Sequence, residues 1–120
     1  MEQIIKDKIV KNIAEAQEID KAIVRGQIDV VSGVDMIKTY LKYITDGLIT
    51  MKILSEEAVA ATENKLKKIL KEKVDKTIAN FKSADAYDVN KPGEIIAWQK
   101  LEMFRHELVL LERKLLEAEG

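Results

Sequence analysis

The chain has no cysteine, which excludes disulfides, thiolate metal sites and thiol nucleophiles together. One proline and five glycines interrupt 120 residues, too few for the closely spaced turns of a strand-rich fold. Aromatic residues, on which strands also draw, reach only 5%, so helix is the leading class. The formal net charge is −1. No global field therefore steers the molecule to nucleic acid or to an anionic membrane, and an electrostatic partner has to be met by a local patch. The amino terminus, MEQIIKDKIVKN, brings in charge at Glu2, Lys6, Asp7 and Lys8. It offers neither a signal-peptide apolar stretch nor a membrane span, and the expectation is a cytosolic protein with no membrane partner.

What is present is a globular balance. Apolar residues make up 47% and charged residues 34%, and disorder would need lower hydrophobicity and uncompensated charge. The length suits one domain, residues 1–120, with a core that needs no staples.

Hydrophobic spacing resolves this domain into four helices, over about 2–25, 30–46, 51–81 and 93–118. In the first, Ile5, Ile9, Ile13, Ala16, Ile19 and Ile23 recur every three or four positions, the period of one helical face. Gly26 follows as a residue able to take positive φ at a helix end. The second carries Val30, Val34, Ile37, Leu41 and Ile44. Asp29 can cap it, and Ser32, with Asp35 three residues on and a Val31–Met36 staple, is the preferred cap. Gly47 is expected to stop it, with Leu48 touching Tyr43 as in a Schellman-type cap. Thr50 and Ser55 can both start the third helix. Its apolar line then passes through Val59, Leu66, Leu70, Val74, Ile78 and Phe81. After the loop KSADAYDVNKPGE, Asn90 can cap the fourth helix. There Ala97, Leu101, Phe104, Leu108, Leu111, Leu115 and Ala118 keep a heptad, flanked by a second line of Ile96, Met103 and Leu110, so this helix needs more than one neighbour.

Short connections after the first two helices predict an all-α, four-helix up-down antiparallel bundle with a long helix 3/helix 4 hairpin. The third helix, at roughly 40 to 45 Å, is nearly twice the second, so part of the hairpin projects. An apolar surface left uncovered there favours a homo-oligomer.

No catalytic constellation emerges, and neither a metal nor a cofactor is expected. His106 is the only histidine. Three residues before it stands Met103 rather than the glutamate of a di-iron bundle, and no second histidine completes a zinc set. The acidic groups Glu15, Glu18, Asp20 and Glu112, Glu117, Glu119 lie mainly off the apolar lines, as solvated faces do. Glycine-rich phosphate loops and nucleophile elbows are missing from the sequence.

Three candidate contact regions stand out. Tyr87 and Asp88 in the long loop, with Trp98 just inside the fourth helix, combine interface-prone aromatics. The competing reading has Trp98 capping the bundle end and Tyr87 closing the loop over it. The connector LITMKIL is more apolar than an ordinary turn, so Leu48, Ile49 and Met51 either enter the core or meet a partner. Lys65, Lys67, Lys68, Lys71, Lys73 and Lys76 form a basic ridge opposed only by Glu72 and Asp75. It is either a solvated helix face or a contact for phosphates or an acidic protein. The function read from these features is non-catalytic protein–protein interaction through helix faces, as an adaptor, assembly subunit or inhibitor. The alternative is a nucleic-acid-associated subunit of a ribonucleoprotein or DNA-processing complex that uses the lysine ridge.

Overall fold

A computed structural model describes residues 2–82 and 91–119. All regular structure among them is helical: α1 (Glu2–Val24), α2 (Val30–Thr50), α3 (Glu56–Lys82) and α4 (Lys91–Glu119). None of these helices is long and apolar enough to cross a membrane. The loop positions Tyr87, Asp88 and Asn90, singled out from the sequence, lie outside the described residues.

Helix α1 ends as its glycine predicts. Gly26 takes φ +75°, its N–H donates to Ile23 O, and the Gln27 N–H donates to Ala22 O. These two bonds satisfy carbonyls that the helix end leaves unpaired. Helix α2 then starts on Asp29, whose carboxylate accepts from the Ser32 N–H at 3.2 Å. Ser32 is thus inside the helix rather than its cap, and Val30, which the Ser32 start would have left in the connector, is buried in α2.

The second correction is at Gly47, which does not stop α2. The helix runs three residues past it, to Thr50, and ends with the same pair of bonds shifted downstream: Lys52 N–H to Ile49 O and Ile53 N–H to Leu48 O. Lys52 takes the left-handed conformation, φ 61°, that glycine normally supplies. Helix α3 starts later than expected, at Glu56, where the Ser55 hydroxyl accepts from the Ala58 N–H. Thr50, the rival cap, instead donates back to Asp46 O within α2.

Gly47 has a different use. A Cβ built on it would lie 2.7 Å from Ile9 Cγ1, and one on Gly33 would strike the Ile23 side chain. Both glycines sit inside α2 and let α1 approach closely at the two ends of the pair. Between them Ile13, Ala16 and Ile19 of α1 meet Val34, Ile37, Leu41 and Ile44 of α2 in one cluster, completed by Ala97, Leu101, Leu108, Leu111 and Leu115 of α4. The buried Thr45 hydroxyl is satisfied by Leu41 O, so its enclosure leaves no orphaned polar group.

Helix α3 is held differently. It packs extensively on α4 alone, and none of its described side chains is buried. Its apolar line, Val59, Leu66, Leu70, Val74 and Ile78, is only half covered. The radius of gyration is 16.3 Å, against about 13.6 Å for a compact chain of this length. The principal extents of 57 × 32 × 19 Å match a three-helix core with α3 carried outside it.

Candidate interaction surface

The two flanks of α4 differ in chemistry. Towards α3 lie Gln99, Met103 and Glu107, one turn apart. Gln99 Nε2 donates to Thr77 Oγ1 at 2.6 Å, while its Oε1 is enclosed without a hydrogen-bond partner. Met103 is buried between them. The Glu107 carboxyl is pushed above the usual carboxylate range, first by burial and second by the charge of Glu63. This interface therefore contains an orphaned acceptor and two like charges, both of which weaken it.

On another flank of α4 stand Trp98, Arg105, Val109, Glu112 and Leu116. These positions share one stripe, because steps of 7, 11 and 18 residues return to nearly the same helical angle at about 100° per residue. Two of them reach α1. Arg105 donates through Nε and Nη2 to the two carboxylate oxygens of Asp20 at 2.7 and 2.6 Å, a paired geometry that fixes orientation. The carboxylate holds the guanidinium pKa above its ordinary value. Gln17 donates to Glu112 at 3.4 Å.

On α1, Val10 and Val24 stand one heptad before and after Gln17, on the same stripe. Val24 shares an open recess with Asp20, Lys21, Arg25 and Arg105. The seam between α1 and α4 is thus bridged by polar pairs while its apolar members stay in solvent. Val10, Val24, Trp98, Val109 and Leu116 are each between 41% and 64% exposed. Singly exposed apolar residues are ordinary, but these five fall on the two helical stripes whose polar members, Gln17 on α1 and Arg105 and Glu112 on α4, link the helices.

A second groove opens between α1 and α2, where Met36 and Tyr40 face Ala14 and Ile19 between Lys11, Glu15 and Glu18. Tyr43 meets Tyr40 edge to face. Tyr40 is bonded to Glu15, which raises its phenol pKa. This groove carries fewer exposed apolar side chains than the seam, and its rim is charged.

The residues expected from the sequence fall in separate places. Trp98 lies on the same stripe of α4 as Arg105 and is 41% exposed. Leu48 is 0% exposed and so is not available to a partner. Met51 packs on the core and Ile49 is half-buried, since α2 continues through them and its cap folds them inward. Lys65, Lys67, Lys68, Lys71, Lys73 and Lys76 are all exposed. They spread over roughly 240° of the α3 circumference at 100° per residue, which makes a solvated coat rather than a single ridge.

His106 is exposed, and no cluster of three or more His, Asp or Glu residues among the described ones is placed to hold a metal ion. Sequence reasoning missed Val10, Val24, Val109 and Leu116 as a set. The available signal was the seven-residue spacing of Val10, Gln17 and Val24 outside the main apolar face of α1. No family model, curated protein or solved structure matches the chain.

Proposed function

We propose that the protein is a non-catalytic interaction module that binds a protein partner through the α1/α4 seam, as an adaptor, assembly subunit or inhibitor. The observation that carries this reading is the line of five exposed apolar side chains, Val10, Val24, Trp98, Val109 and Leu116. Trp98 is the natural anchor, since tryptophan buries a large area for few frozen torsions. The Asp20–Arg105 pair beside it supplies a fixed polar rim of the sort that surrounds such anchors.

An up-down order of the four helices supports the same reading. Ile9 lies beside Gly47 and Ile23 beside Gly33, which favours opposite directions for α1 and α2. Asp20 with Arg105 and Gln17 with Glu112 favour the same relation for α1 and α4. A partner on the seam then meets two antiparallel helices, a groove suited to another helix.

The spread of the lysines gives the nucleic-acid reading less support. The test is affinity capture from extracts of the source cell, with the wild-type chain and with Val109→Glu and Leu116→Glu variants as baits. A protein retained by the wild type and lost by both variants is expected. Nothing retained, or equal retention by all three baits, would refute the reading.

A further inference from the structure

We propose that α3 is a pH-sensitive strap, which closes on α4 when the Glu107 side chain carries a proton and loosens when Glu107 and Glu63 are both charged. This role is independent of what the seam between α1 and α4 binds.

The attachment of α3 makes such a device mechanically possible. The helix packs extensively on α4 alone, and none of its described side chains is buried. Met103, on the α4 side of the contact, is buried but stands outside the cluster built by α1, α2 and α4. Releasing α3 therefore bares Met103 and the apolar line Leu66, Leu70 and Val74 while that cluster stays whole. The closed contact also encloses Gln99 Oε1 without a hydrogen-bond partner, a cost that opening removes because water can then reach the oxygen. Half-covered apolar side chains set against an orphaned acceptor leave a narrow balance, which a change at one carboxyl can move.

Glu107 is placed to make that change. It is half-buried, and one turn away on α4 its neighbours are Met103, Phe104, Leu110 and Leu111, so no cation of its own helix stands beside it. From α3 the charged group acting on it is Glu63, of like sign. Lys67 and Lys71 of α3 are exposed and do not offset that charge, and α1 and α2 bring no charge to bear on the carboxyl. Burial, and after it Glu63, raises the Glu107 pKa. Opening returns water to Glu107 and carries Glu63 away, and both changes favour the charged form. The proton is thus held more tightly in the closed arrangement. Its contribution to closure is complete below the ordinary glutamate range and is lost as pH rises through the raised value.

The experiment is amide hydrogen exchange of the full chain, followed by mass spectrometry from about pH 4, near the ordinary glutamate value, to about pH 7. Rates are corrected for the intrinsic pH dependence of exchange, and protection in α3 is read relative to protection in α2. The variants are Glu107→Gln, Glu63→Gln and the control Glu72→Gln. Glu72 is an exposed carboxylate of α3, roughly opposite its apolar line at 100° per residue, and its replacement removes the same charge from the same helix. Circular dichroism checks that each variant remains helical.

In the wild type, α3 protection relative to α2 should fall severalfold as pH rises. Glu107→Gln should flatten this dependence, Glu63→Gln should reduce it and Glu72→Gln should leave it unchanged. A ratio that stays constant with pH overturns the strap, as does a loss of protection shared equally by α2 and α3. A pH dependence that survives Glu107→Gln, or that Glu72→Gln removes equally well, overturns Glu107 as the group that works it.

Discussion

Replacing Gly47 by alanine sets two effects of opposite sign against each other. Alanine in a helix interior is favoured over glycine by about 1 kcal/mol, so an α2 that met nothing at this point would be stabilised. The added Cβ, however, would lie 2.7 Å from Ile9 Cγ1 and 2.9 Å from Ile9 Cδ1, where relaxed carbon contacts sit near 3.5 to 4.0 Å. Ile9 is 2% exposed, so its side chain has to repack within the core or carry α1 with it along a contact that also places Ile13 and Ala16. Overpacking of this kind costs about 1 to 3 kcal/mol and outweighs the propensity gain. The expected net loss is about 1 kcal/mol, read as a fall in Tm of roughly 4 °C for a domain of this size and as a lower urea midpoint at unchanged slope. Combining the change with Ile9→Ala separates the causes. Ile9→Ala alone leaves a cavity costing about 2 to 5 kcal/mol, and the added methyl should then fill part of it, so the double variant is more stable than the two single losses imply. A Gly47→Ala protein as stable as the wild type, or more so, would refute the close approach of α1 and α2 at this residue.

Three other outcomes follow from the geometry. Lys52→Gly removes a left-handed non-glycine residue and should raise stability by about 0.5 to 1 kcal/mol in urea titrations, the left-handed penalty less the added freedom of the unfolded chain. Glu107→Gln should stabilise the protein at neutral pH. The folded-state pKa of Glu107 is raised, so its favourable contribution is complete below the unfolded pKa and is lost as pH rises through the folded value. The gain from glutamine should therefore disappear in Tm measurements made on the acid side of the ordinary carboxylate range. Lys68→Glu with Lys71→Glu should leave the unfolding free energy within about 0.5 kcal/mol of the wild type in urea titrations. The wild-type chain itself should show no retardation of RNA or DNA at about 0.15 M salt, where exposed and dispersed lysines are screened; a stable shifted band would count for the nucleic-acid reading.

The four helices and the buried faces of α1, α2 and α4 were legible because spacing of apolar residues reports burial directly, as at Ile9, Ile13, Leu101 and Leu108. Gly26 was legible as a stop because a flexible residue at the end of an apolar period has few other uses. Gly47 was misleading, since the same residue type also permits close helix packing, and only the position of Ile9 distinguishes the two. The Lys52 cap left no local trace. Two cap hydrogen bonds and the inward packing of Ile53 and Leu54 offset a left-handed penalty of about 1 to 2 kcal/mol. The stripe of α3 shows how far periodicity reaches: Leu66, Leu70 and Val74 announce an amphipathic helix, but not whether one neighbour or two will cover it. The α1/α4 seam was hidden for the opposite reason. Its valines sit outside the dominant face, and their significance depends on Trp98, Val109 and Leu116 arriving opposite them from the far end of the chain.

Helix α3 touches its surroundings through α4 and through little else, which makes it the one helix whose length is not set by the others. Adding or deleting two turns near its distal end would change no contact within the cluster built by α1, α2 and α4. It would extend or shorten the part that projects from the core. Its amide hydrogens should likewise exchange by an opening that leaves those of α2 closed, because releasing α3 uncovers the flank carrying Gln99, Met103 and Glu107 and none of the three-helix core. The molecule thus contains a part that can drift in sequence and reach at small cost to the whole, attached to a part that cannot.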